Sequence, residues 1–452
     1  MFQRTLYDQL LAWRRDGAGK ALLLYGPRQV GKSFLVRTLA QREYQSYVEI
    51  NLTDNAQARK ALAQASDVRD LISRISLFSS MELVPGNSLV FIDEIQELPN
   101  IMTMAKFLVE DGRFDYTFSG SMLGTEFKGV RSYPVGFVRE FLMRPMSFEE
   151  FCWATGIRSE HLDMVREALR AQRPVPDYLH DALLSRFRTY MVVGGMPEVV
   201  QRYVDNGGDL GPARTLQVDL NTQYQHDIAK YAEGRALAVR SIFDRIPLQL
   251  AEKSLRFKVA AVDRGARYES YEDNFLWLVN AGVGLKVDQV SEPKPPLRRT
   301  DRPSLFKLYQ SDVGMLVARY PQSVARLIYL DERSANLGGI YENVVAQELA
   351  AQDLDLYYYM ARKRGEVDFI TEGGEAPLPI EVKSGRSFRT HASLDVLLAS
   401  EEYGIPLGIV LSRSNVMREG KVLYLPIYAA GMVRELYCAD TPLPRMDLGE
   451  IG

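Results

Sequence analysis

Over the first third of the chain, short apolar runs that end in small or acidic residues alternate with stretches of helical spacing. Ala21 to Tyr25 is one such run, followed by Phe34, Leu35, Val36 and Leu39 at the spacing of a packed helix. Leu89-Val90-Phe91-Ile92 is another, apolar at every position as a parallel strand covered on both faces requires. Tyr47 to Leu52 alternates like a half-buried strand, and Asp115-Tyr116-Thr117-Phe118 reads as a fourth strand that ends in Ser119-Gly120-Ser121. Leu6, Leu10, Leu11 and Trp13 place a helix ahead of the first strand. Ala56 to about Met81 and Ile101 to Val109 are helical between the later ones. Strand and helix in this order predict a parallel sheet with helices on its faces.

Beyond Phe141 the alternation stops. Ser147-Phe148-Glu149-Glu150-Phe151 has the capping-box pattern, and helical periodicity continues through Leu162 to Leu169 and Leu183 to Val193. Gly194-Gly195-Met196-Pro197 interrupts it before a helix through Val199, Val200 and Tyr203. A sheet domain over 1–145 and a helical lid over 146–211 are therefore expected. Residues 212–330 read as a mainly helical, winged-helix-like module. Its helices are Ile242 to Leu250, Phe257 to Val262 and Tyr268 to Ala281, and a strand pair, Leu285 to Val290 and Leu305 to Tyr309, flanks a proline-stiffened loop. The helix in the DNA-reading position carries Glu269, Glu272 and Asp273, which repel phosphates, so it is expected to make packing or protein contacts. Residues 331–452 form a second α/β domain, with a helix from Ile340 to Leu349 and strands Leu356 to Tyr359, Val367 to Ile370, Leu378 to Lys383 and Gly408 to Leu411.

Between the first strand and the first packed helix stands Gly26-Pro27-Arg28-Gln29-Val30-Gly31-Lys32-Ser33. Nucleotide phosphates need converging backbone N–H groups, which a chain lacking Cβ at its tightest points supplies. The N-terminus of the following helix, from Phe34 onward, adds its unpaired N–H groups, Lys32 reaches the β/γ oxygens, and the Ser33 hydroxyl ligates Mg²⁺. Asp93 and Glu94 close the apolar run at 89–92. At the carboxyl end of a parallel strand they emerge beside such a loop, Asp93 to hold the Mg²⁺ shell and Glu94 to orient or deprotonate water. Ser119 and Ser121 are either γ-phosphate sensors or turn residues.

Composition narrows the remaining possibilities. The 452 residues, 46% apolar and 25% charged, suit an ordinary soluble protein of about three domains. A net charge of −3 gives no global attraction to DNA or anionic membrane, so any DNA contact must be local: Lys294, Arg298 and Arg299 in the proline-stiffened loop, and Arg362, Lys363 and Arg364. Two cysteines, Cys152 and Cys438, and four scattered histidines leave no disulfide framework and no cysteine- or histidine-built metal site. No run has signal-peptide or membrane-span length, so a cytoplasmic location is expected.

A second constellation lies near the C-terminus. Period-two alternation sends Glu381 and Lys383 to one face of their strand and Glu366 and Asp368 to one face of theirs. If the strands are neighbours, Asp368, Glu381 and Lys383 converge, and Glu342 on the preceding helix completes a shell for Mg²⁺ or Mn²⁺. The D…E-x-K arrangement is similar to the active site of PD-(D/E)XK nucleases. A solvated hairpin would have the same spacing.

As a set, the phosphate loop, Ile92-Asp93-Glu94-Ile95-Gln96, Ser119-Gly120-Ser121, Pro145 to Phe151, Gly194 to Pro197, Phe306 to Gly314, Tyr341-Glu342-Asn343, Glu366 to Phe369 and Ile380 to Ser384 resemble bacterial and archaeal AAA-type ATPases with a nuclease-like C-terminal domain. The resemblance covers nearly the whole chain. It implies a multidomain α/β protein that binds ATP with Mg²⁺ and hydrolyses it at Lys32, Ser33, Asp93 and Glu94, with Ser119 or Ser121 as sensor. It further implies a restriction-endonuclease-like domain that processes DNA through Glu342, Asp368, Glu381 and Lys383, or serves a protein partner as a binding platform. Gly195-Met196-Pro197 is similar to an adenine-packing lid motif, and a plain helix start accounts for it as well. Phe137 stands where relatives place a candidate arginine finger, for which Arg131, Arg139 or Arg144 could substitute. Thr390-His391 stands where a lysine is frequent, and homo-oligomers are compatible with the pattern.

Overall fold

The computed structural model describes residues 2–438 apart from 17–18, 122–133, 135, 233, 253, 333–336, 363 and 386. The chain is a multidomain α/β protein of two compact units, each assembled from three separate stretches. Unit 1 comprises 1–146, 195–243 and 271–284, and unit 2 comprises 147–194, 244–270 and 285–452.

Unit 1 is built on five parallel strands, β1 (Ala21–Gly26), β2 (Ser46–Asn51), β3 (Ser88–Asp93), β4 (Asp115–Ser121) and β5 (Val138–Leu142), in the order β2-β3-β4-β1-β5. The runs that read as strands are strands because both their faces are covered. Leu89, Val90, Phe91 and Ile92 are buried, and Val90 and Ile92 join a core with Leu23, Ile50, Leu71, Ile75, Leu108 and Phe118. Placing β1 between β4 and β5 brings the carboxyl ends of β1, β3 and β4 together, with Gly26 in register with Ser121. The segment expected to be helical over 56–81 is two helices, Ala56–Ala63 and Val68–Ser76. The Asp67 side chain caps the second by accepting from the Asp70 amide.

Unit 2 contains a mixed eight-stranded sheet of β6 (Gly284–Val290), β7 (Asp301–Gln310), β8 (Tyr357–Ala361), β9 (Gly365–Gly373), β10 (Ala376–Val382), β11 (Gly408–Ser412), β12 (Met417–Glu419) and β13 (Val422–Pro426), ordered β12-β13-β11-β10-β9-β8-β6-β7. The strand pair read as a wing is therefore the end of this sheet, β6 running parallel to β8. Phe257 to Val262 is not a helix. Arg256 bridges Lys307, the Phe257 amide donates to the Phe306 carbonyl, and only Val259–Ala261 makes a 3₁₀ turn, so pairing with the β7 edge wins over local helical spacing. Ser147 does form the capping box with Glu150. Its helix, Phe148–Ala154, lies in unit 2 together with Ser159–Arg170 and Asp177–Val193, the stretch read as a lid. Among the described residues no helix is long and apolar enough to cross a membrane.

Candidate nucleotide site and the C-terminal carboxylate cluster

The loop after β1 takes the shape its glycines permit. Gly26 has φ 148°, and a Cβ there would meet the Met143 carbonyl oxygen at 2.1 Å; Gly31, φ 96°, sits immediately ahead of the helix Lys32–Glu43. Lys32 is buried, and its ammonium donates to the carbonyls of Gly26 and Pro27, both at 2.9 Å. Burial pushes it down to about 8, although Glu94 and Asp93 pull the other way. The Ser33 hydroxyl donates to Asp93 Oδ2 at 2.6 Å, and the Ser119 hydroxyl donates to Asp93 Oδ1, which also accepts from the Glu94 amide at 3.0 Å. The ends of β3 and β4 and the start of the helix after the loop thus meet on one carboxylate. Of the two serines read as sensors, Ser119 touches Asp93, whereas Ser121 is a buried register neighbour of Gly26. Glu94 has a left-handed backbone, φ 57°, a strained conformation for a non-glycine residue, and the Gln96 amide holds its carboxylate.

Around this loop Arg4 donates to the Val30 carbonyl at 2.9 Å and to that of Arg144 at 2.6 Å, and Pro197 starts the helix Pro197–Asp205 within reach of Gly31. Phe34 is half exposed in the first helical turn. The loop tip is held by a helix that the periodicity did not single out, Leu210–Tyr231. Arg28 pairs with Asp227 at 3.0 Å, Gln29 with Gln223 at 2.9 Å, and the Tyr224 hydroxyl approaches the Arg28 carbonyl at 3.4 Å. Of the substitute finger candidates, Arg139 lies 3.5 Å from Asp16 at the surface, and Arg131 falls outside the described residues.

In unit 2 the ladder between β9 and β10 pairs Ile380 with Phe369, and just beyond it the Asp368 carboxylate accepts from the Val382 amide at 2.8 Å. Lys383 donates to Glu381 Oε1 at 2.8 Å. Glu342, on the helix Gly338–Ala350, accepts from Tyr309 at 2.9 Å and from Lys307 at 3.0 Å. The expected residues are brought together, with two that sequence reading did not assign to the site, Lys307 and Glu366. Burial is the main cause that pushes Glu342 up to about 7 and Glu381 up to about 8, with the charge of Asp368 next. Among the described residues no three His, Cys, Asp or Glu side chains are grouped so as to hold a metal ion.

Of the cations expected to hold DNA, Lys294 pairs with Glu402 at 3.0 Å, Arg364 with the same Glu402 at 3.4 Å, and Arg299 with Glu292 at 3.0 Å. Lys363 lies outside the described residues.

The parallel sheet, the glycine-lysine loop and the Ser33–Asp93–Ser119 contacts define unit 1 as a P-loop nucleotide-binding unit. Residues 18–152 match the model of an AAA domain. Residues 184–324 and 337–429 match two domains of unknown function, DUF8612 and DUF4143. Solved structures with partial likeness include a Walker-type ATPase of Pyrococcus abyssi (14% identity, TM-score 0.43, 72% of this chain and 96% of that one). Two others are the ORC1 protein of Aeropyrum pernix in complex with DNA (12%, 0.29, 74% and 93%) and the RuvB Holliday junction branch migration motor of Thermotoga maritima (15%, 0.28, 63% and 89%). No curated protein matches the sequence.

Proposed function

We propose that this chain is an ATP-binding and ATP-hydrolysing switch of the AAA type, whose nucleotide state sets the contacts its C-terminal unit makes with a protein partner. The observation that supports hydrolysis is the convergence of Lys32, Ser33, Ser119 and Glu94 around Asp93. Lys32 exchanges the carbonyls of Gly26 and Pro27 for β- and γ-phosphate oxygens. Ser33 and Asp93, hard oxygen donors already in contact, suit Mg²⁺, which when bound offsets phosphate charge. Glu94, held by Gln96, orients or deprotonates the attacking water, and Ser119 senses the terminal phosphate through Asp93. Steady-state turnover tests this: Lys32→Ala should lose ATP binding and Glu94→Gln should keep ATP while hydrolysing it slowly. Unchanged turnover in both would refute the assignment.

The second reading makes the C-terminal unit a Mg²⁺-dependent DNA-processing domain controlled by ATP, with Glu342, Asp368 and Glu381 on the metal and Lys383 beside the phosphate. The paired state of three of the cations expected to hold DNA, Lys294, Arg299 and Arg364, favours the binding platform. Each surface pair contributes at most about 1 kcal/mol, yet a phosphate must displace a carboxylate from Lys294, Arg299 and Arg364 to gain the same contact. Anisotropy with labelled single strands, duplexes and junctions, with ATP and Mg²⁺, should show no tight binding at low salt. Steeply salt-dependent binding followed by cleavage would establish the DNA reading instead.

A further inference from the structure

The strand β7 carries Phe306, Lys307, Leu308 and Tyr309, and all four are buried, Lys307 at 1% exposure. A lysine in that position must find its charge partners inside the protein, because taking an ammonium out of water costs several kcal/mol. Lys307 finds three. Its Nζ lies 2.8 Å from Glu366 Oε1, 3.0 Å from Glu342 Oε2 and 3.7 Å from Asp368 Oδ1, and the Tyr358 ring sits 5.2 Å away.

Of the three carboxylates that a metal-dependent nuclease site would need, this ammonium engages two, Glu342 and Asp368, and Lys383 engages the third, Glu381. Glu342 Oε2 is shared by Lys307 and the Tyr309 hydroxyl. One oxygen of Asp368 faces Lys307 while the other accepts from the Val382 amide, and Glu381 Oε1 is held by Lys383. Among the oxygens of these three carboxylates, Glu381 Oε2 is buried without a hydrogen-bond partner. Four carboxylates, Glu342, Glu366, Asp368 and Glu381, therefore face two ammonium groups, of which Lys307 is buried. A divalent ion entering among them would meet Lys307 at close range and would have to take Glu342 and Asp368 from it, leaving the buried lysine Glu366 alone as counter-charge.

We propose that Lys307 is the resident cation of this cluster, standing where a metal-dependent nuclease would carry its divalent ion, so that the C-terminal unit is complete without a metal. The inference deepens the platform reading and is independent of the ATP chemistry of unit 1.

The test is a Mn²⁺ titration of the nucleotide-free full chain, followed by the electron paramagnetic resonance signal of free Mn²⁺. Wild type should show no bound Mn²⁺ that Asp368→Asn or Glu381→Gln removes. Lys307→Met, which keeps the apolar length of the side chain and deletes the charge, should bind Mn²⁺ about tenfold more tightly than wild type, and adding Asp368→Asn should abolish that gain. A wild-type Mn²⁺ ion that is lost in Asp368→Asn overturns the proposal. So does a folded Lys307→Met chain with no gain in affinity. If Lys307→Met does not fold, the wild-type and Asp368→Asn titrations decide the question by themselves. Asp368-dependent Mn²⁺ capture by the wild-type chain without DNA cleavage would sink this inference alone, whereas wild-type cleavage sensitive to Asp368→Asn would also sink the platform reading.

Discussion

ATP binding at alkaline pH should draw a proton from solution, and the proton should go to Lys32. In the free protein this lysine is pushed down to about 8 because it is buried against the carbonyls of Gly26 and Pro27 with only Asp93 and Glu94 to support its charge. Bound phosphates would restore its ordinary value of about 10.5 or raise it further. At pH 9 about nine-tenths of the free protein then carries a neutral amine, so binding should take up about 0.9 proton; at pH 7 the figure is about 0.1. Affinity scales with the charged fraction and should fall about tenfold between pH 7 and 9, or about 1.4 kcal/mol. Calorimetry with a non-hydrolysable ATP analogue and Mg²⁺, in two pH 9 buffers of different ionisation enthalpy, measures the uptake directly. Uptake near zero at pH 9, with flat affinity, would mean that Lys32 is already fully charged in the free protein and would refute the burial argument.

Glu94→Gln should lower ATP turnover by about 10²-fold or more while leaving affinity within a few-fold of wild type, as single-turnover and binding measurements will show. Removing the loop-tip pair with Asp227→Ala should loosen the hold of the helix Leu210–Tyr231 on the loop and weaken ATP binding by a few-fold, readable by the same calorimetry. Buried Glu348, which accepts from the Phe148 amide and from Tyr190, is raised by burial to about 8. Because the folded state keeps a proton that the unfolded chain has lost, its contribution is full below about pH 4.5 and disappears as pH rises through about 8, by up to about 1.4 kcal/mol per pH unit. Melting temperatures measured from pH 5 to 9 should decline, and Glu348→Gln should flatten the decline. The thiols of Cys152 and Cys438 are buried and pushed up by burial, so a chromogenic disulfide reagent should label neither until the chain is unfolded.

The nucleotide site was legible because its signals are local. Gly26, Gly31, Lys32 and Ser33 lie within eight positions, and Asp93 and Glu94 end a run whose burial the composition announces. Strand β5 was missed because Arg139 and Glu140 are exposed on the sheet edge and break the apolar pattern. Lys307 was hidden for a different reason. In a strand read by alternation a lysine marks the solvent face, and nothing nearby in sequence announces that Glu342, Glu366 and Asp368 will gather around it. The helix Leu210–Tyr231 is too evenly polar for its packed face to stand out, so the grip of Gln223 and Asp227 on the phosphate loop had no signal at all. Tertiary pairing likewise overrode local spacing at Phe257, where an apolar stretch with helical periodicity met an open strand edge.

Because each unit is threaded from three stretches of chain, synthesis order constrains folding. A ribosome that has released residues 1–146 has delivered all five strands of the first sheet, yet the side chains that grip the loop tip, Gln223 and Asp227, emerge later and the last stretch of that unit ends only at 284. By then the first stretches of unit 2, 147–194 and 244–270, are already outside the tunnel while their sheet has hardly begun. Fragments cut at a single point, including one ending at 152 where the AAA match stops, would strand part of one unit or the other, so the chain has to be expressed and engineered whole.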